Sequence, residues 1–268
     1  MNKNFLLSLL FISFALSIQG QNTDSIRITA NYIATFKNYT DQTDLITEEK
    51  ILEIADHHTA FYGRWQRRRE EIVDSITKIH GSIEEMTRLI SKYPTPRSFY
   101  SVYTNYPVQS RRTVIDEILK SFYYEEAITP ISWTILPRDT TILSIPCHFA
   151  TCTYGNRKWT ACFAASIPVQ AGPWKLQGLP GLILFAHDDS GIFSFECIEI
   201  KNGQGLFRIP SLAKCIKSTR KELQLMKKES AADPLEFERR RFGLPGKAYD
   251  NYGKPLIYKK RIPVFLEN

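Results

Sequence analysis

From Ser25 to Lys37 apolar and polar positions alternate, with Ile26, Ile28, Ala30, Tyr32, Ala34 and Phe36 on one side, which predicts a half-buried strand. Residues 38–42 read as a turn and Lys50–Asp56 as a second short strand. The period then changes. Trp65, Ile72, Val73, Ile76 and Ile79 recur at helical spacing over Arg64–Ile79, and the charged residues among them, Arg67, Arg68 and Arg69 included, read as a solvated face. Gly81 stops this helix, and Ser82 with Glu85 three residues on predicts the start of a second one, ending before Pro94 and Pro96.

Ser98–Tyr106 is aromatic and strand-like up to Pro107, and a strand-rich half follows. Ser132–Leu136 is read as a strand, Pro137–Thr140 as a turn, and Ile145–Tyr154 as the next strand. Gly155-Asn156 is a two-residue hairpin signal, so Lys158–Ala165 returns with Tyr154 facing Arg157, Cys152 facing Trp159 and Cys147 facing Ala164. Leu182–Ala186 and Ile192–Ile200 form a further hairpin around the turn His187–Gly191. Ser211–Ser230 reads as one long basic helix with Leu212, Cys215, Ile216, Leu223 and Met226 on its apolar side, and Leu244–Asn268 as a Gly- and Pro-punctuated surface tail. The expected fold is α+β: a mainly antiparallel sheet of hairpins packed against a few helices.

The first twenty residues belong to a different category. A polar start carrying Lys3, an apolar run from Phe5 to Ile18 and the exit Ser17-Ile18-Gln19-Gly20-Gln21 predict a secretory signal peptide, cut after Gly20 with Ser17 as the alternative. The run is too short for a bilayer, which needs about 20 apolar residues, and no Cys near the cut invites a lipid anchor. Residues 21–268 are then read as one exported domain, secreted or periplasmic, with no transmembrane segment. Loss of the leader takes Lys+Arg from 35 to 34 against 28 Asp+Glu, a net charge of +6 that suits peripheral contact with an anionic envelope surface. No nucleic-acid partner is assigned.

Five cysteines (Cys147, Cys152, Cys162, Cys197, Cys215) are too few for a disulfide scaffold, and their odd number leaves at least one free thiol. Cys147 and Cys152 fall on opposite faces of one strand, roughly 16 Å apart at strand rise, too far to bridge. A Cys147–Cys162 bridge would be strained. None of the five has Cys-x-x-Cys spacing.

The most distinctive stretch is Ile167-Pro168-Val169-Gln170-Ala171-Gly172-Pro173-Trp174-Lys175-Leu176-Gln177-Gly178-Leu179-Pro180-Gly181-Leu182-Ile183-Leu184. It closely resembles the signature of the GLPGLI (Porph_ging) family of envelope proteins from Bacteroidota-type bacteria. The resemblance extends to Phe61-Tyr62, Trp133, Cys147, Ala150-Thr151-Cys152, Gly155–Trp159, Asp188, Phe195 and the closing segment Tyr258–Glu267. Cys162 departs from it, standing where the family pattern has Trp. The resemblance implies an envelope protein without assigned activity and supplies no catalytic residues. Physically the signature residues Gly172, Pro173, Trp174, Lys175, Gly178, Leu179, Pro180, Gly181, Leu182 and Ile183 read as structural. The glycines punctuate loops, Trp174 is a large anchor, and Pro180-Gly181 turns the chain into a strand. Gly243–Gly246 repeats Gly-Leu-Pro-Gly without its flanks and is a coincidence.

No constellation commits to chemistry, so no catalytic residue, metal site or cofactor is assigned. His57 and His58 are adjacent and diverge on a strand; His187-Asp188-Asp189 is the best metal-like cluster but is accounted for by Asp capping a turn. Glu125 and Glu126 diverge on an extended chain, no Gly-x-Ser-x-Gly elbow exists, and Cys152 and Cys162 lack an assigned base. The reading is a non-enzymatic accessory of the envelope that binds an apolar ligand or a partner envelope protein on a concave aromatic face. The alternatives are a hydrolase whose site is assembled only by folding, and a surface assembly component.

Overall fold

The computed structural model describes residues 24–244, 249, 254–256 and 258–267; the expected leader lies outside them, as does part of the expected tail. The strands are β1 (Ile26–Phe36), β2 (Ile46–Ala55), β3 (Thr59–Gly63), β4 (Ser101–Thr104), β5 (Arg111–Ile118), β6 (Lys120–Ala127), β7 (Thr134–Ile142), β8 (Ile145–Tyr154), β9 (Arg157–Ala164), β10 (Leu182–Asp188), β11 (Ser194–Asn202) and β12 (Ile216–Lys217). The helices are α1 (Arg64–Lys78), α2 (Ile83–Ile90), α3 (Arg220–Ala232) and α4 (Pro234–Phe242). All twelve strands join one sheet in the order β12-β6-β5-β4-β3-β2-β1-β11-β10-β9-β8-β7. Neighbours pair antiparallel, except that β12 lies parallel to β6.

Strand alternation puts two unequal cores on the two faces. On the larger, Tyr32, Leu52, Phe61, Val114, Trp159, Leu184 and Phe195 join Leu223 and Met226 of α3 and Phe237 of α4. The opposite face carries a smaller cluster of Ile26, Ala60, Tyr62, Tyr103 and Phe207. There Arg67 of α1 is buried, its guanidinium 4.2 Å from the Tyr62 ring and donating to Tyr103 Oη at 2.8 Å. The expected solvated arginine face is corrected at this residue. Val73 and Ile79, expected on the apolar side, are exposed, because α1 lies on the sheet through Gln66, Arg67, Ile72 and Ile76.

The hairpin β8–β9 keeps the expected register, Tyr154 opposite Arg157 and Cys152 opposite Trp159. Ser82 caps α2, its hydroxyl accepting from Glu85 N at 3.1 Å. Other expectations are corrected. Pro137–Thr140 is not a turn: it lies inside β7, where the pairing slips between Ile135 and Asp139, and a proline is tolerated because β7 is an edge strand. The long helix from Ser211 is not formed either. Ile216–Lys217 pairs with Phe122–Tyr123 instead. α3 starts only after Thr219, whose hydroxyl accepts from Glu222 N at 3.2 Å while Glu222 Oε2 accepts from Thr219 N at 2.9 Å. His57 and His58 lie beyond the end of β2, before β3, not on a strand; His57 N donates to Asp24 Oδ1 and His58 Nδ1 pairs with Asp24 Oδ2. All five cysteines are free thiols.

Candidate functional site

The signature stretch forms a folded-back loop between β9 and β10 on the large-core face. Leu182 N donates to Ile167 O at 3.0 Å, Ile183 N to Ala171 O at 3.0 Å and Gly178 N to Gln170 O at 3.4 Å. Its hydrogen-bonded turn is at Pro173–Leu176, where Leu176 N reaches Pro173 O, and Pro180-Gly181 is a bend leading into β10. Leu176, Leu179, Leu182 and Ile183 are buried, with Tyr32 Oη donating to Ile183 O at 2.7 Å. Gly172 and Pro173 position Trp174, which is 6% exposed and packs against Tyr154 and Trp159 at centroid distances of 5.6 and 5.7 Å.

Trp174 also separates two cavities. The larger, about 340 Å³, lies between the sheet and a cover made of α3 and residues 263–267. Its sheet side presents Val114, Tyr124, Phe193 and Phe195, Phe36 and Tyr100 line it as well, and its cover presents Leu223, Gln224 and Lys227. The smaller, about 280 Å³, lies beneath the signature loop, between Gly172–Gly178 and the strand residues Phe61 and Val102.

Charged side chains stand on this same inward face, because β2 and β5 place Glu48 and Lys50, and Arg112 and Asp116, in the positions that alternation otherwise gives to Leu52 and Val114. At one pole, Lys175 Nζ (side chain 1% exposed) meets Glu126 Oε1 at 2.7 Å, Glu267 Oε2 at 2.6 Å and Tyr124 Oη at 3.2 Å. Arg112 donates to Glu126, to Tyr154 Oη and to the Lys175 carbonyl, and Arg220 pairs with Glu267. Burial, with Glu126 second, pushes the Tyr124 phenol up, so it remains a neutral donor or acceptor. At the other pole, fully buried Lys50 donates to Ser98 Oγ at 2.6 Å and pairs with Glu48 at 2.9 Å, while Ser98 Oγ donates to Glu48 Oε2 at 2.6 Å. Burial lowers the Lys50 amine below its ordinary range, Glu48 opposing that shift. Lys227 pairs with Asp116 beside the cavity.

Of the residues weighed in the sequence, Trp174 and Lys175 reach the large cavity or its ion-pair shell; Gly172 and Gly178 border the smaller one. Glu125 and Glu126 diverge, Glu126 toward Lys175 and Glu125 toward Arg111 and Lys217. Asp188 is engaged in its turn, accepting from Ile192 N and Phe193 N at 2.9 and 2.8 Å and pairing with Arg157 at 2.6 Å. Sequence reading missed Lys50, Arg112, Asp116, Tyr124, Arg220, Lys227 and Glu267. The available signal was charge at i±2 from Val114 and Ile118 in 111–118, where an inward alternation carries Arg112 and Asp116.

No family model and no curated protein matches this chain. Among solved structures it is similar to PNGF-II in two crystal forms, each at a TM-score of 0.51 and 10% identity, covering 77% of this chain and 34% of that chain. The likeness is one of fold, and the present chain spans about a third of the length of PNGF-II.

Proposed function

We propose that this chain is an exported, non-enzymatic binding protein of the envelope that holds an apolar or amphipathic small molecule in the cavity beneath α3. The observation that carries the reading is the cavity itself: about 340 Å³, within the range of small-molecule sites, walled by Trp174, Tyr100, Phe193, Phe195 and Leu223, with polar groups gathered at its ends. Those polar groups are held in complementary pairs, Glu267 by Arg220 and by Lys175 behind it, and Lys227 by Asp116, an arrangement that shapes and orients. Export rests on the leader read in residues 1–20, and the positive mature charge favours peripheral contact with an anionic surface. No helix among the described residues is long and apolar enough to cross a membrane.

The test is titration of the mature protein with the neutral fluorophore N-phenyl-1-naphthylamine. Saturable binding of one probe per chain is expected, abolished by Leu223→Trp, which fills the cavity from α3, in a variant whose melting remains cooperative. Probe binding unchanged by that filling would place the site elsewhere. Export is checked by N-terminal sequencing of protein recovered from the cell envelope, which should begin at Gln21.

A further inference from the structure

Lys175 is sealed away from the cavity by the chain's own tail. Residues 263–267 cover the cavity. Val264 N donates to Asn38 O at 2.9 Å and Val264 and Leu266 pack on the core, while beyond Val264 the segment is held through its oxygen atoms. Arg157 donates from Nε and Nη2 to Phe265 O at 3.1 and 2.7 Å, and Gln224 Nε2 donates to Glu267 O at 2.6 Å. The Glu267 carboxylate is gripped by Lys175 from behind and Arg220 from the front. The cradle around residues 265–267 is therefore a row of donors that reads carbonyl and carboxylate oxygen, and the Glu267 side chain, 12% exposed, lies within it.

The charge count shows what that position requires. Arg112, Lys175 and Arg220 face two carboxylates, Glu126 and Glu267, in this cluster. Arg112 and Lys175 are both almost fully buried, so loss of the Glu267 carboxylate would leave buried positive charge uncompensated, a costly state unless another anion enters. A neutral molecule entering the aromatic cavity cannot supply that compensation. A molecule carrying its own carboxylate can, with its apolar body lying between Trp174, Phe195 and Leu223.

Building on the binding role proposed above, we infer that Glu267 is an internal surrogate ligand, and that the molecule held here is a carboxylate with an apolar chain, whose headgroup replaces the Glu267 carboxylate between Lys175 and Arg220. The tail then acts as an exchangeable cover: binding lifts residues 263–267, and release lets Glu267 return. Arg220 is half-exposed at the start of α3, where it can meet an incoming carboxylate before the buried Lys175 does.

The experiment compares dodecanoate with dodecanol, matched in chain length, by calorimetric titration of the full mature protein, wild type and variants. The wild type should prefer dodecanoate. Glu267→Gln, which removes the competing carboxylate, should tighten dodecanoate by roughly tenfold or more, and Arg220→Ala should weaken it by a similar factor, as expected for one charge-assisted contact. Amide exchange of residues 264–267, Val264 above all, should rise when dodecanoate binds. Equal affinity for acid and alcohol, unmoved by either substitution, would overturn the inference while leaving an apolar binding site standing. Dodecanoate binding that leaves the tail's amide protection unchanged would also overturn it. If neither probe binds wild type or Glu267→Gln, the binding role itself falls.

Discussion

Replacing Gly181 by alanine would place a methyl carbon 2.2 Å from Ala164 O and 2.6 Å from Ala164 C, both backbone atoms at the end of β9. These distances are far inside the roughly 3.5–4.0 Å optimum for non-bonded heavy atoms, and the obstructing group is not a side chain that can rotate away. Ala164 pairs with Leu182 across β9–β10, and its carbonyl accepts from Ile167 N at 3.1 Å at the entry of the signature loop. Relief therefore has to come from separating the two strands or opening that loop. Overpacking costs about 1–3 kcal/mol and a lost internal hydrogen bond about 1 kcal/mol, so Gly181→Ala should cost about 2–4 kcal/mol. Gly178, three residues earlier, supplies the comparison: a Cβ there meets nothing within 4 Å, and its φ of +93° is the sole obstacle. The left-handed backbone costs an alanine about 1–2 kcal/mol, and the stiffer unfolded chain returns about 0.4–1 kcal/mol, leaving a net loss of about 1 kcal/mol. Urea unfolding followed by tryptophan fluorescence measures both, provided the slope is the same for the two variants. Gly178→Ala proving as damaging as Gly181→Ala would refute the claim that close backbone approach, more than turn conformation, fixes the second glycine.

Trp174→Ala removes the wall between the two cavities and should cost about 3–5 kcal/mol in the same assay, with loss of naphthylamine binding; near-wild-type stability would show the ring is not an anchor. Burial pushes the thiols of Cys152, Cys162 and Cys197 up to about 12. At pH 8 their native alkylation should therefore lag that of the unfolded chain by roughly 1000-fold, with Cys215, less buried, labelled first; equal native and unfolded rates would contradict this. The Asp41 carboxyl is held below its ordinary value, first by the hydrogen bond from Lys259 and also by Arg261. Its hold on the tail is complete above about pH 4 and is lost as pH falls through the depressed folded-state value, so amide exchange of residues 258–264 should rise selectively in acid. Asp41→Asn should remove that pH dependence.

Local chemistry was legible where a few neighbouring residues decide the outcome. The Gly155-Asn156 turn fixed the register of β8 against β9, and the alternation from Ile26 to Phe36 located β1. Thr219 with Glu222 marks the true start of α3, and Asp233, Pro234 and Gly243 bracket α4, with Gly243 at φ +67°. Those capping signals were present in the sequence but were outweighed by an apolar periodicity running back through Cys215 and Ile216. In the folded chain Ile216 pairs with β6 instead, because two residues of extended chain there satisfy the sheet edge.

What the sequence determines by itself is therefore the set of elements with strong local codes, the antiparallel character of the sheet, and the unusual composition of the signature loop. What the tertiary structure decided is which charges face inward. Glu48 and Lys50 come from β2, Arg112 and Asp116 from β5, Lys175 from the loop before β10, Lys227 from α3 and Glu267 from the tail. Each is an ordinary surface-type residue in its own segment. Only when distant segments bring opposite charges within ion-pair distance does burial become tolerable, so the cavity and its poles are properties of the assembled sheet and its cover.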